Sequence, residues 1–301
     1  MILVQNKIIT GNIGDDTLSI VSLDDIENIE TINIKSLINV CGKLGPWDLT
    51  VNDKGYLLIL NSYDESLITL DLDTKMVLSK IKLGRSPICL RVYDSKIYIL
   101  NCDSNSLSIF EEDTLIQVEE IYLDEKPSDL QIDNKYRKAY IANANGNSIS
   151  IISLSDNSMK VNSLNSQPFR LLVRDSYLYI LSYINNGAIN LSSISVMDMD
   201  KKEIKEYKIK GIYTDFIEIM EGEFLLTNPE DGYLYSFDMN TNKLSKKIFL
   251  GGMPNKILLD TKMNLYITDL INNQVLVIDY FNEKLLNKIN VGKEPQGFIL
   301  L

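Results

Sequence analysis

The 301-residue sequence predicts an all-β fold: a seven-bladed β-propeller of four-stranded antiparallel blades, closed by the C-terminal strand joining the N-terminal blade. Three observations lead there. A proline-led phrase recurs about every forty residues, each interval holds four short strand-like runs, and the two chain ends are complementary fragments of one unit.

The phrase reads GPWDLTV at Pro46, SPICLRV at Pro87, KPSDLQI at Pro127, QPFRLLV at Pro168, MPNKILL at Pro254 and EPQGFIL at Pro295. From Pro46 onward the successive spacings are 41, 40, 41, 86 and 41. The double interval is divided by YTDFIEI, in which Tyr213 takes the proline position. Proline fits the first residue of an innermost strand, where a fixed φ and a missing N–H are tolerated.

A second run follows each phrase and ends in a short polar residue: LLILN, IYILN, AYIAN, LYILS, FLLTN and LYITD. A polar loop leads to a third run, such as LITLDL or VLVIDY, and a fourth closes the unit, such as VLSKIKL or LLNKINV. These runs are short, rich in Ile, Val and Tyr, and bounded by Asn, Asp, Gly and Ser, which is strand-and-turn chemistry. No stretch sustains a capped amphipathic helical period. Asn12, Asn61, Asn101, Asn143 and Asn228 end second strands and are expected to stabilise the following turn by bonding nearby backbone.

The predicted units are 41–83, 84–123, 124–164, 165–209, 210–250 and 251–291, with 1–40 plus 292–301 forming the closing blade of a single domain spanning 1–301. KIITGN, TLSIVSL and ETINI supply its second, third and fourth strands and GKEPQGFILL its first, which removes two open sheet edges. Ile2 to Val4 also resemble the end of a first strand, so the seam is open to sharing between the termini. An insertion around Asn185 to Ser193 lengthens the unit that begins at Pro168.

The phrase P-x-x-[LIF]-x-[VI], followed by [LI]-Y-I-x-N and [IL]-x-[IVF]-x-[DE], resembles the YVTN-type repeats of YncE-like seven-bladed propellers. PICLRVYDSKIYILN, PSDLQIDNKYRKAYIAN and PNKILLDTKMNLYITD are the clearest copies. The resemblance spans the chain and implies the fold; such propellers serve many roles, so it implies no one activity.

Chemistry is constrained by composition. The chain has no histidine, which removes histidine acid–base chemistry, Ser-His-Asp triads and histidine metal sites. A net charge of −11 repels nucleic acid and anionic membrane surfaces on average. The lysines 201, 202, 205, 208 and 210 are interleaved with Glu203 and Glu206 and read as a solvated outer strand. Three cysteines with no paired spacing, and an N-terminus without a basic region leading into an apolar run, set the expectation of a cytoplasmic monomer. A mature secreted or surface form would look the same.

The channel face is the expected binding surface, since loops leading into innermost strands and loops between second and third strands share it. Two residues after the proline position stand Asp48, Cys89, Asp129, Arg170, Asp215, Lys256 and Gly297. Asp48, Asp129, Arg170, Asp215 and Lys256 form a candidate ring at the channel mouth. It would either hold a small polar ligand or a cation such as Ca²⁺ or Mg²⁺, or neutralise itself as an ion-pair network. Trp47 and Tyr63 are candidate interaction residues; for Trp47 the competing role is packing between blades. Cys89 reads as a small buried apolar group rather than a nucleophile. The functional expectation is a non-enzymatic binding or scaffold propeller engaging a protein or small polar ligand. The alternative is a lactonase-like hydrolase with a carboxylate or metal site at the channel mouth.

Overall fold

Apolar runs without strict alternation need a sheet covered on both faces, and a ring of stacked blades supplies one. The computed structural model describes residues 6–184 and 190–301. It contains seven four-stranded antiparallel sheets, six of them consecutive in the chain and one made of strands Lys7–Asn12, Thr17–Ser22, Ile29–Asn33 and Pro295–Leu300. Within that closing blade, numbered 1 here, Ile9 pairs with Ile299 and Thr10 with Phe298. Ile2 to Val4, proposed above as part of the seam, lie outside the described residues, as do residues 185–189 of the insertion.

Blades 2 to 7 start at Pro46, Pro87, Pro127, Gln167, Asp215 and Pro254. Their second and third strands are the most buried: Leu57–Asn61 and Ser66–Leu70 have no exposed residue. The outermost strands alternate or lie open, as in Val77–Lys82 and Gln117–Tyr122. The lysine-bearing strand Ile204–Lys210 is outermost in its blade and largely exposed, as its charge pattern predicts.

The core is divided among the blade interfaces. Leu58, Leu60 and Leu67 pack on Leu90, Ile97 and Phe110 between blades 2 and 3. Tyr140, Ala142 and Ile149 pack on Leu178, Ile180 and Met197 between blades 4 and 5. At the seam, Tyr266, Val275 and Ile289 of blade 7 pack on Ile8, Val21 and Phe298 of blade 1. No blade has a core of its own, so burial of apolar surface rewards only a closed ring.

Tyr213 is fully buried in the interface between blades 5 and 6, with its ring edge-on to Tyr235 at 5.5 Å and its hydroxyl donating to the Lys210 carbonyl at 2.8 Å. The insertion lengthens the middle hairpin of blade 5, whose strands Tyr177–Ile184 and Leu191–Asp198 run eight residues each.

Two local expectations change. A short helix, Ile34–Ile38, joins blades 1 and 2, capped by the Asn33 side chain accepting from the Ser36 N–H at 3.1 Å; one turn is too brief to leave a period in the sequence. The strand-ending asparagines bond chiefly to side chains rather than backbone. Asn101 donates to the hydroxyls of Ser106 and Ser108, and Asn143 to those of Ser148 and Ser150. The third strand turns those hydroxyls back toward the asparagine. Asn228 alone of the five caps two backbone N–H groups in the following turn, those of Glu230 and Asp231.

Candidate channel-mouth site

The innermost strand of each blade is a sheet edge, so some of its N–H groups have no partner within the blade. In six blades the register slips immediately after the proline: Pro127 faces Asn143 and Asp129 faces Ala142, and the same slip follows Pro46, Pro87, Pro168, Pro254 and Pro295. Such a bulge shifts the two-residue alternation and re-aims the next side chain.

At three interfaces that side chain is an aspartate reaching into the next blade. Asp48 Oδ2 accepts the Leu90 N–H at 3.0 Å, Asp129 Oδ2 the Leu171 N–H at 2.8 Å, and Asp215 Oδ2 the Ile257 N–H at 3.0 Å. The second oxygens of Asp129 and Asp215 accept the N–H of the residue that follows each, Leu130 at 2.9 Å and Phe216 at 3.0 Å. One carboxylate thus serves the inner edges of two blades, and the ring positions of the receiving blades, Cys89, Arg170 and Lys256, are free to be something else. The sequence alternation of aspartate with other residues follows from this pairing of blades 2 with 3, 4 with 5 and 6 with 7.

Gly297 ends the alternation because backbone fills its place. A Cβ there would lie 3.1 Å from the Pro46 carbonyl oxygen, and one on the neighbouring Gly11 only 2.6 Å from it. The junction of blades 1 and 2 is sealed instead by Asp16, which accepts from the N–H groups of Leu44 and Gly45 and pairs with Lys35 at 2.7 Å.

The buried carboxylates are matched by cations. Arg170 Nε lies 3.7 Å from Asp215, and Lys256 Nζ lies 3.7 Å from Asp48. Arg91, which the sequence reading missed, contacts Asp48 at 3.2 Å and Asp129 at 3.7 Å. It stands four residues after Pro87, at a position that is unremarkable in the other blades; the signal available was a lone arginine in a phrase otherwise apolar at its end. Burial opposes the charge on Arg91, but Asp48 and Asp129 outweigh it and hold the guanidinium fully protonated. Arg170 is raised likewise, against burial, by Asp215 and Asp129. Burial lifts Asp215 above the usual carboxylate range despite Arg170 and the Ile257 N–H.

The three aspartates are therefore separated by cations rather than gathered. Among the described residues no three His, Cys, Asp or Glu side chains surround a common point. Cys89 is buried, with its sulfur 3.7 Å from Asp129, and burial pushes its thiol up to about 12.

Tyr63 is half exposed on the same face, with its ring over Gly45, where a Cβ would come within 2.6 Å of it. Trp47, partly buried, follows Pro46 in the innermost strand of blade 2. The acidic loops of this face are tied locally: Asp64 to Lys80, Asp103 to Lys126 and Asp231 to Lys246.

Fold and site together define a seven-bladed β-propeller whose channel mouth carries a self-neutralised ring of carboxylates and cations. No family model matches the chain, and no curated protein matches it. Among solved structures it is similar to Kuenenia stuttgartiensis hydrazine synthase, at TM-score 0.73 and 17% identity over 86% of this chain and 90% of that one. It is also similar to virginiamycin B lyase from Staphylococcus aureus, at 0.67 and 17% over 82% and 84%. A third likeness is to a putative 6-phosphogluconolactonase from Bacteroides fragilis, at 0.73 and 13% over 99% and 98%. At these identities the likeness is one of fold. Among the described residues no helix is long and apolar enough to cross a membrane.

Proposed function

We propose that the protein is a non-enzymatic binding propeller of the YVTN-repeat, YncE-like kind, which engages a small polar ligand or a polar side chain of a protein partner at its channel mouth. The observation that carries this reading is the state of the three aspartates. Each already accepts backbone N–H groups and faces a cation, so none is poised to activate water or to complete a metal shell. The cations are the more available partners. Arg170 stands 3.7 Å from Asp215 at its nearest and keeps 23% of its side chain exposed, and Arg91 keeps 32%. Asp48, Asp129, Arg170, Asp215 and Lys256 then act together, the carboxylates fixing the cations in place, while Tyr63 and Trp47 offer aromatic surface beside them.

The test joins calorimetry with an activity assay. Short dicarboxylates and acidic peptides are titrated into the protein and into an Arg170→Ala variant, and glucono-δ-lactone hydrolysis is followed with and without Ca²⁺ and Mg²⁺. Saturable binding that Arg170→Ala abolishes, with lactone loss at the buffer rate, is the expected result. Metal-dependent turnover would replace this reading with the lactonase-like one.

A further inference from the structure

On the side of the ring, toward the face opposite the channel-mouth charges, a cavity of about 230 Å³ opens between blades 4 and 5. Its blade 4 wall follows from the pleat. Lys138 pairs with Ser153, and Tyr140 pairs with Ile151, which pairs with Lys160, so their side chains share one sheet face. The blade 5 wall is Met197 and Met199, with Lys202 from the turn that follows. Asn162 donates to the Met197 sulfur at 3.8 Å and joins the two walls.

Three features of this groove point to a ligand. First, in a chain of net charge −11, its lining contains three lysines and no carboxylate. Lys138, Lys160 and Lys202 form no ion pair among the described residues, whereas many of the other surface lysines do. Of the nearby acids, Asp156 accepts from the Ser158 hydroxyl and Asp200 from the Tyr136 hydroxyl, while Asp133, close to Tyr140, accepts the Lys135 and Tyr136 N–H groups through Oδ1 and has its Oδ2 buried without a partner. Second, Tyr140 is 1% exposed, lines the cavity, and its hydroxyl makes no hydrogen bond among the described residues, whereas Tyr266, its counterpart in blade 7, donates to Asp260 at 3.0 Å. Third, the apolar lining is methionine-rich, a surface that moulds itself to a flat ring and makes favourable sulfur–aromatic contacts.

We propose that this groove binds a small aromatic anion: one ring held against Met197, Met199 and Tyr140, and a carboxylate reached by the ammonium groups of Lys138, Lys160 and Lys202. An enclosed apolar cavity of about 150 Å³ takes a benzene, so this open groove of about 230 Å³ has room for one ring and a short acidic arm. The site is separate from the channel mouth and stands or falls independently of it.

Phenylacetate is the probe, measured by calorimetry and ligand-observed NMR at low salt. The expected result is saturable one-to-one binding, about three- to fivefold weaker after each single Lys→Gln change at 138, 160 or 202, as for a partly exposed charge pair. The triple variant should lose at least about tenfold, as should neutral 2-phenylethanol in place of phenylacetate, while Arg170→Ala at the channel mouth leaves binding unchanged. An unfolding midpoint equal to that of the parent checks that the triple variant is folded. No saturation at millimolar phenylacetate, binding unchanged in the folded triple variant, or loss of binding in Arg170→Ala would each overturn the proposal.

Discussion

Asp129 Oδ2 accepts the Leu171 N–H at 2.8 Å across the junction of blades 4 and 5, joining residues 42 positions apart. Its other oxygen accepts the Leu130 N–H, and Arg91 lies 3.7 Å away. Replacing Asp129 with alanine leaves two inner-edge donors without their partner and Arg91 with Asp48 alone. The expected loss is roughly 3–5 kcal/mol, the range for breaking a buried, hydrogen-bonded charge. Urea unfolding of Asp129→Ala beside Asp129→Asn measures it, with Asn recovering part of the loss because its oxygen still accepts one N–H. A change below about 0.5 kcal/mol for Asp129→Ala, the size of an ordinary surface substitution, contradicts the latch.

Asp215 gives a pH signature. Its folded-state pKa is raised by burial, so the folded chain binds its proton more tightly than the unfolded chain. The contribution of this group to stability is fully present below the unfolded value, near 4, and is lost as pH rises through the higher folded value. Stability measured from about pH 4 upward should therefore fall less steeply, or rise more steeply, in Asp215→Asn than in the parent. Parallel curves for the two proteins would remove the assignment.

The turn aspartates work in the opposite direction. Asp198, Asp238 and Asp279 end third strands and Asp71 follows one; hydrogen bonds from the next turn hold their carboxyls below the usual range, given by the Thr74 N–H to Asp71, the Lys201 and Asp200 N–H groups to Asp198, the Thr241 hydroxyl and Asn240 N–H to Asp238, and the Asn282 side-chain amide and N–H to Asp279. Their contribution is present above the unfolded value near 4 and is lost as pH falls through the lower folded values. Asp238→Ala should blunt the acid side of the stability profile and leave the profile above pH 6 unchanged in shape; thermal melts across the range read this directly.

Thiol labelling separates the cysteines. Cys41 is exposed, Cys102 partly buried, and Cys89 buried with its thiol at about 12. A disulfide reagent at pH 8 should consume Cys41 at once and Cys102 more slowly, with Cys89 reacting only on unfolding. Rapid reaction of all three in the native protein would contradict the burial of the ring position.

Ring closure is tested by deleting residues 292–301. The deletion removes the strand Pro295–Leu300, exposes the edge of Lys7–Asn12 and takes Phe298 from the seam core. Aggregation or loss of a single cooperative transition is expected, followed by size-exclusion chromatography and denaturant unfolding. A monomeric truncated chain of unchanged stability would mean that the ring does not depend on this strand.

How much of this was legible differs between fold and site. Pro46, Pro87 and Pro127 and their companions repeat because each blade poses the same local problem, and Tyr213 kept the period visible where the proline was lost. The closing Asp of the third run recurs for an equally local reason, capping a turn two or three residues away. Asp48, Asp129 and Asp215 stood out as a set, but their partners did not, because a backbone N–H of the next blade has no sequence signature. Arg91 was missed for the same reason. The lysine run containing Lys202 read as a solvated strand, and most of it is one. Lys202 itself sits in the turn before that strand and faces Lys138 and Lys160 of the neighbouring blade.

The sequence by itself determined the blade content, the seven-fold count, the closure by the termini and the lack of histidine chemistry, because strands and turns are written in local alternation and composition. The tertiary structure alone decided which charges meet at the channel mouth and which lysines share a groove. Those contacts join residues of different blades, and a bulge after each proline shifts the two-residue parity that sequence alternation would otherwise reveal.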